Sequence, residues 1–310
     1  MIAENIKIII SGLDNAGKTS ILTALDKKYD FQREIIELKP TIRIEYHNTH
    51  FLGNEIHIWD MGGQLQFREL YQNRREIYFS DCDLLIYVID IQDYERFEES
   101  LGYLDMVLSY FIEEHLDVPL IVSFHKYDPE IRGDEAINNN IIDIRQTILE
   151  RYPEVKTLFQ QTSIYDIISV VQLISYGLSV FDKKFFELSE LLEIYLEEFG
   201  CASLILFDQN GIIISEFYSD DINSELYIEL LESIKEHLFL LKRIQEEKAE
   251  NQFAFFSTES KFLSYLHKVK FGEIPLFISV LVEEANKDKV LEKFADLVEE
   301  LTQILLSLGS

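Results

Sequence analysis

The first part of the chain alternates short apolar runs with amphipathic stretches. Residues 6–11 (IKIIIS) form a continuous β-branched run, and a helical pattern begins near Lys18. Two alternating runs at 42–47 and 55–59, separated by a turn containing Gly53-Asn54, predict a hairpin. Buried strands at 84–89 (LLIYVI) and 120–124 (LIVSF) are bounded by helical stretches around 95–114 and 136–151, and a helix near 165–181 closes the region. This alternation predicts an α/β fold, a mostly parallel six-stranded sheet with helices on both faces.

The pattern changes after Asp182. It reads as a helix at 185–199, strands at 203–207 and 212–218 joined through Asn210-Gly211, and a helix from about 222 to 246. Strands near 252–257, 262–270 and 275–282 follow, then an amphipathic helix at 286–307. The expectation is an α+β region with a five-stranded antiparallel sheet. Two domains result, 1–182 and 183–310, each long enough to bury a core of its own.

Composition narrows the range of partners. Fifty-six acidic residues against 28 basic ones give a net charge of −28, which repels phosphate backbones and anionic headgroups, so nucleic acid is not expected as a partner. Cys82 and Cys201 lack any metal-binding or redox spacing, which fits a reducing cytoplasm. The opening MIAENIKIII is too quickly polar for a signal peptide, and no run reaches the length of a membrane span. Ile2 and the ending Leu308-Gly309-Ser310 offer no lipidation site, so membrane recruitment is expected only through a partner.

Gly12-Leu13-Asp14-Asn15-Ala16-Gly17-Lys18-Thr19 fits G-x-x-x-x-G-K-[ST] at every fixed position, between strand and helix as that motif requires. Gly12, Asp14, Asn15, Ala16, Gly17, Lys18, Thr19 and Ser20 are the expected phosphate cradle, with Lys18 on the β and γ oxygens and Thr19 on Mg²⁺. Trp59-Asp60-Met61-Gly62-Gly63-Gln64 ends the next strand. There Asp60 is placed to orient magnesium-bound water, Gly63 to offer its amide to the γ-phosphate, and Gln64 to position the attacking water. Thr41, expected to open the 42–47 strand, is a further candidate ligand for Mg²⁺ and γ-phosphate. Phe124-His125-Lys126-Tyr127-Asp128 closes another strand; Asp128 can accept from guanine N1 and N2 while the Lys126 stem lies along the ring. Ser163 and Ile164, in Thr162-Ser163-Ile164 before the last helix, would add a backbone amide to guanine O6.

Other features read as ordinary surface. His47, His50 and His57 have no zinc-motif spacing and are expected as surface histidines of the hairpin. Arg68, Arg74 and Arg75, after Gln64, are expected to face solvent or a partner, and the Glu-rich stretches 187–198 and 222–248 to be solvated faces.

The set GLDNAGKTS, PTI, WDMGGQ, HKYD and TSIYD resembles the Ras superfamily and, within it, the Rag/Gtr GTPases, with Arf-like wording in its first half. His125, where most small GTPases carry Asn, and the Thr162-Ser163-Ile164 wording point to Rag. LILFD at 204–208 resembles the opening strand of the roadblock-type domain that follows the G domain in that family. The resemblance implies GTP/GDP and Mg²⁺ as ligands, with guanine on Lys126 and Asp128, magnesium on Thr19, Thr41 and Asp60, and γ-phosphate contact at Thr41 and Gly63. It also implies a homo- or heterodimer through the C-terminal domain with a Rag-like or roadblock-domain partner. The leading expectation is a GTP-hydrolysing switch that is slow without an activating partner. A nucleotide-bound but non-catalytic dimerising scaffold, and an ATPase or kinase of the same loop class, are the alternatives.

Overall fold

The computed structural model describes residues 5–27, 38–51, 54–179, 184–208, 211–219, 233–234, 236–237, 253–257, 262–271 and 274–308. Gly53, Asn210, most of the expected 222–246 helix, the His50 side chain and Gly309-Ser310 lie outside the described residues. The chain forms two compact units, Ile2–Leu173 and Ile174–Ser310, so the division falls within a helix, Ile167–Ser179.

In the first unit, β1 (Asn5–Gly12) leads through the glycine-containing loop into α1 (Lys18–Lys27), followed by the hairpin β2 (Ile44–Phe51) and β3 (Asn54–Met61). Then come α2 (Leu65–Gln72), α3 (Arg75–Phe79), β4 (Leu84–Asp90), α4 (Phe97–Glu113) and β5 (Leu120–His125). α5 (Glu135–Arg151), β6 (Thr157–Thr162) and α6 (Ile167–Ser179) complete the order. The sheet runs β2-β3-β1-β4-β5-β6, parallel throughout except for the antiparallel β2–β3 pair. This is the expected six-stranded sheet.

Its centre is apolar because both faces are covered. Ile8, Ile9 and Ile10 of β1 and Leu84 to Val88 of β4 are wholly buried. The helix α4 buries Leu101, Leu104, Val107, Leu108 and Phe111, the three-and-four spacing of one helical face. Each such side chain contributes about 1.5–3 kcal/mol on burial.

Register then places the chemistry. Gly12 of β1 stands opposite Val88, His125 of β5 lies between Asp90 and Thr162, and Asp60 of β3 pairs with Ile10. The carboxyl ends of the parallel strands thus present Gly12, Asp60, Asp90, His125 and Thr162 at one edge, where open α/β sheets carry their ligands.

Two local expectations change. β2 starts at Ile44 rather than Ile42, because Arg43 adopts a left-handed φ of 64° and breaks extended pairing. Thr41 therefore sits in the loop ahead of the strand, and its side chain is buried. The sixth strand, TLFQQT, is half polar because it lies at the sheet edge, so no continuous apolar run marks it.

The second unit holds α7 (Lys184–Phe199), β7 (Cys201–Asp208), β8 (Ile213–Tyr218), β9 (Phe253–Ser257), β10 (Phe262–Phe271), β11 (Ile274–Glu283) and α8 (Lys287–Leu308). Its strands pair antiparallel in the order β8-β7-β11-β10-β9. All eight residues of β7 are buried, which a strand inside a covered sheet requires. Within this core the two ring nitrogens of His237 bond the hydroxyls of Ser279 (2.6 Å) and Ser264 (2.8 Å). Among the described residues no helix is long and apolar enough to cross a membrane.

Candidate functional site

The loop between β1 and α1 takes its shape from close approaches that side chains would obstruct. Gly17 has φ 98°, and a Cβ there would stand 2.3 Å from Cδ2 of His125. A Cβ on Gly63 would stand 2.2 Å from the Asp14 amide nitrogen, so the Gly62-Gly63 segment after β3 lies directly on the loop. Ahead of it, the Gly62 amide donates to the Arg43 carbonyl at 2.6 Å, and the Tyr71 hydroxyl donates to the same oxygen at 2.5 Å. The segment carrying Thr41 is thereby tied to the one carrying Gly63 and Gln64.

Asp60 joins these segments. Its Oδ2 accepts from the Thr19 hydroxyl at 2.6 Å and from Thr41 Oγ1 at 3.4 Å, while the two hydroxyl oxygens are 2.8 Å apart. Burial raises the Asp60 pKa, opposed by the nearby Lys18 charge and the Thr19 bond. Lys18 is itself buried, and desolvation lowers its pKa to about 8 against the pull of Asp60 and Asp14. It remains an ammonium at neutral pH and donates to the carbonyls of Gly12 (3.1 Å) and Leu13 (2.7 Å). A cavity of about 250 Å³ opens over these groups, lined among others by Asp14, Lys18, Thr19, Thr41, Gly63 and Gln64. Two hydroxyls and a carboxylate form an all-oxygen donor set, the ligand chemistry of a hard cation such as Mg²⁺. A buried ammonium beside loop amides suits a polyphosphate.

Gln64 stands at the cavity rim as the residue preceding α2, and its Oε1 accepts from Gln66 Nε2 at 2.9 Å. Asn15 has φ 59°, and Ser20, with Asn15 and Gly17, lines the same cavity; Ala16 is buried beneath the loop.

The other half of the edge is built on β5. His125 is buried, with Nδ1 2.9 Å from the Thr162 hydroxyl and its ring against Gly17. Burial, helped by the Lys126 charge, lowers its pKa to about 3, so the imidazole is neutral and spans from β6 to the phosphate loop. Lys126 adopts φ 61° and pairs with Asp90 at 2.6 Å; Gln92 Nε2 donates to its carbonyl at 2.7 Å. Asp128 accepts from Ser163 Oγ at 2.6 Å and from Gln92 Nε2 at 3.2 Å, and the Tyr127 amide donates to Thr162 at 3.0 Å. The Ser163 hydroxyl orients Asp128, and Ile164 follows in the same turn.

Two arginines differ from what the sequence implied or concealed. Arg68, expected to face outward, is buried; its Nε donates to the Gly63 carbonyl at 2.9 Å and it pairs with Glu99. The aromatic face of Tyr103 and Glu99, both on α4, draw it inward, and sequence alone could not place that helix beside α2. Arg75 pairs with Glu113 at 2.9 Å, while Arg74 is exposed. Arg96 was not marked by any motif, yet it bridges Asp14 (2.6 Å) and Glu99 (3.0 Å). Burial acts to raise the Asp14 pKa, but the Arg96 bond and charge bring it below the usual carboxylate range.

Comparison with known proteins matches residues 7–238 to the Gtr1/RagA G protein conserved region. The chain is 30% identical over 190 residues to the Ras-related GTP-binding protein A of Dictyostelium discoideum, covering 57% of this chain and 62% of that protein. It is 38% identical over 122 residues to ADP-ribosylation factor-like protein 3 of Chlamydomonas reinhardtii, covering 39% of this chain and 63% of that one. Both matches span less than two thirds of the relative's own length. The Arl6/BBS3 small GTPase of Trypanosoma brucei, solved with the nucleotide analogue GppNp, aligns with 57% of this chain and 97% of that one, at 17% identity and a TM-score of 0.44.

The neutral His125 generates a pH prediction. Its folded pKa lies below the ordinary 6.5, so below pH 6.5 the unfolded chain binds a proton that the folded chain refuses. That residue's contribution to stability is therefore present above pH 6.5 and falls by up to ~1.4 kcal/mol per unit as pH drops towards 3. Urea unfolding followed by the fluorescence of the single tryptophan, Trp59, reports on the first unit. His125→Asn should show a flatter decline in midpoint from pH 7 to pH 5 than the parent; parallel declines would contradict the assignment. With the match over residues 7–238 and the site geometry together, the chain belongs to the Gtr1/RagA G protein family.

Proposed function

We propose that the chain is a guanine-nucleotide switch that hydrolyses GTP, with residues 1–182 as the catalytic domain and 183–310 as a roadblock-type dimerisation domain. The observation that carries this reading is the convergence of Thr19, Thr41 and Asp60 beside Lys18, with Gly63 and Gln64 at the same cavity. A scaffold that only holds nucleotide has no need of Thr41 and Gln64 there.

In this mechanism Lys18 exchanges its loop carbonyls for β and γ phosphoryl oxygens, and the loop amides from Asp14 to Ser20 enclose the phosphates. Thr19, Thr41 and Asp60 would hold Mg²⁺, which when bound would supply positive charge to offset that of the phosphates. The Gly63 amide donates to the γ-phosphate, and Gln64 turns its amide from Gln66 to orient a water. The water oxygen bonds to the γ phosphorus in line as the bond to the bridging oxygen breaks. The electron pair leaves on the β-phosphate of GDP, and the water proton passes to the released phosphate. Thr41 and Gln64 then lose their shared anchor, and the segments that carry them relax.

The base is read at Asp128, whose carboxylate accepts from the N1 and N2 donors of guanine; adenine has no such pair. Lys126 lies along the ring, Ser163 keeps Asp128 oriented, and the Ile164 turn faces O6. His125 takes the tying role that Asn plays in most small GTPases, joining this loop to the phosphate loop through Gly17.

Hydrolysis is slow in the isolated chain. Arg68 and Arg96 are both engaged by carboxylates, so neither supplies charge to the transition state. An arginine from an activating partner accelerates such reactions by roughly 10³ to 10⁵. The protein works in the cytoplasm, and any membrane association comes through its partner.

Competition between GTP and ATP for the purified chain tests the base assignment. GTP should win clearly, and Asp128→Asn should lose that preference; equal displacement by ATP in the parent would instead favour the ATPase reading. Dimerisation is checked separately by light scattering on the full chain. The expected mass is that of a dimer at high concentration, alone or with a roadblock-domain partner, and a monomer under both conditions would remove this part of the proposal.

A further inference from the structure

The β2–β3 hairpin carries a second group of metal-ligating side chains on the face that Asp60 shares. Glu45 is the cross-strand partner of Asp60, and His47, two residues further along β2, projects from the same face. One ligand atom from each of Glu45, His47 and Asp60 lies within 4.8 Å of the others. This departs from the expected solvated surface histidine, since His47 is half-buried.

The independent observation is at the atoms. His47 Nε2 and Asp60 Oδ1 are both buried and have no hydrogen-bond partner. Asp60 as a whole is 0% exposed, and its hydroxyl bonds all fall on Oδ2. Buried polar atoms are nearly always satisfied in folded proteins, so two orphans beside a third ligand call for an occupant. An imidazole nitrogen and two carboxylates together suit a borderline divalent ion, Zn²⁺ first among them, better than Mg²⁺, which takes oxygen ligands and water. His57 does not join the group: it faces the other side of the hairpin, where Nδ1 is 2.9 Å from Asn48 Oδ1 and Nε2 is 3.9 Å from Glu55.

We propose that Glu45, His47 and Asp60 bind a Zn²⁺-class cation that shares the Asp60 carboxylate with the proposed nucleotide site. Oδ2 then serves the hydroxyls of Thr19 and Thr41, and Oδ1 serves the hairpin. Such an ion cross-links β2 to β3 in this register, because a slip of one residue turns Glu45 and His47 to the opposite face. It thereby holds the strand that follows Thr41.

The test uses the full chain, treated with chelator, returned to excess Mg²⁺ with GDP, and titrated with Zn²⁺ while bound zinc and magnesium are both counted. The titration is repeated without nucleotide. The expected result is one tight zinc per chain with magnesium retained, and at least ~tenfold weaker zinc binding in both Glu45→Gln and His47→Gln. GDP affinity should be unchanged in both variants, so a failed zinc site and a failed nucleotide reading are told apart. If His47→Gln also loses GDP, the exposed Glu45→Gln decides. No zinc uptake, equal uptake by parent and variants, or uptake matched by loss of magnesium would each overturn the proposal.

Discussion

The first unit depends on the Asp60 carboxylate, a charge held out of water at the end of a central strand. Burying an ionised carboxylate costs several kcal/mol unless its lone pairs and charge are answered. Here the Thr19 hydroxyl, the Thr41 hydroxyl and the Lys18 ammonium answer it. They come from two pieces of chain: Lys18 and Thr19 open α1 directly after the loop, and Thr41 lies in the segment before β2. Their meeting point is fixed by register, since Asp60 is paired with Ile10 two residues short of Gly12. Separating these pieces leaves a buried charge underserved, so a displacement at the loop bears directly on the position of Thr41 and Gly63.

A second tie runs along the same edge. The neutral His125 ring lies against Gly17 and bonds Thr162, and Thr162 bonds Ser123 at 2.7 Å. The end of β5 that leads into Lys126 and Asp128, the proposed base-reading residues, is therefore anchored to the loop after β1 through packing and neutral hydrogen bonds, not through charge. Lys126 and Asp128 are held on either side by Asp90, Gln92 and Ser163. Under the proposed function, such preorganisation leaves little ordering to be done on base binding. Arg96 and Arg68 add an acid–base chain through Glu99, from Asp14 in the loop to the Gly63 carbonyl.

Much of this was legible in the sequence because buried parallel strands are continuous apolar runs, and phosphate loops need fixed glycines. The runs at 6–11, 84–89 and 120–124 became β1, β4 and β5 with ends shifted by a residue or so. The strand TLFQQT was not legible, because an edge strand has one wet side and loses the apolar signature. Thr41 was misplaced at a strand start because nothing in the sequence marks the left-handed Arg43. Arg68, Arg96 and the orphaned atoms of His47 and Asp60 were invisible for a common reason. Glu99 is 31 positions from Arg68, Asp14 is 82 from Arg96 and Asp60 is 13 from His47, so only tertiary packing brings them together.

The central claim is that these converging segments hydrolyse GTP, with Gln64 placing the water. Single-turnover phosphate release from the full chain preloaded with GTP and started by Mg²⁺ tests it most directly. The account predicts slow release by the parent and a loss of on the order of tenfold or more in Gln64→Leu, with GTP affinity retained. Equal release by parent and variant, or none from the parent even with magnesium present, would contradict it.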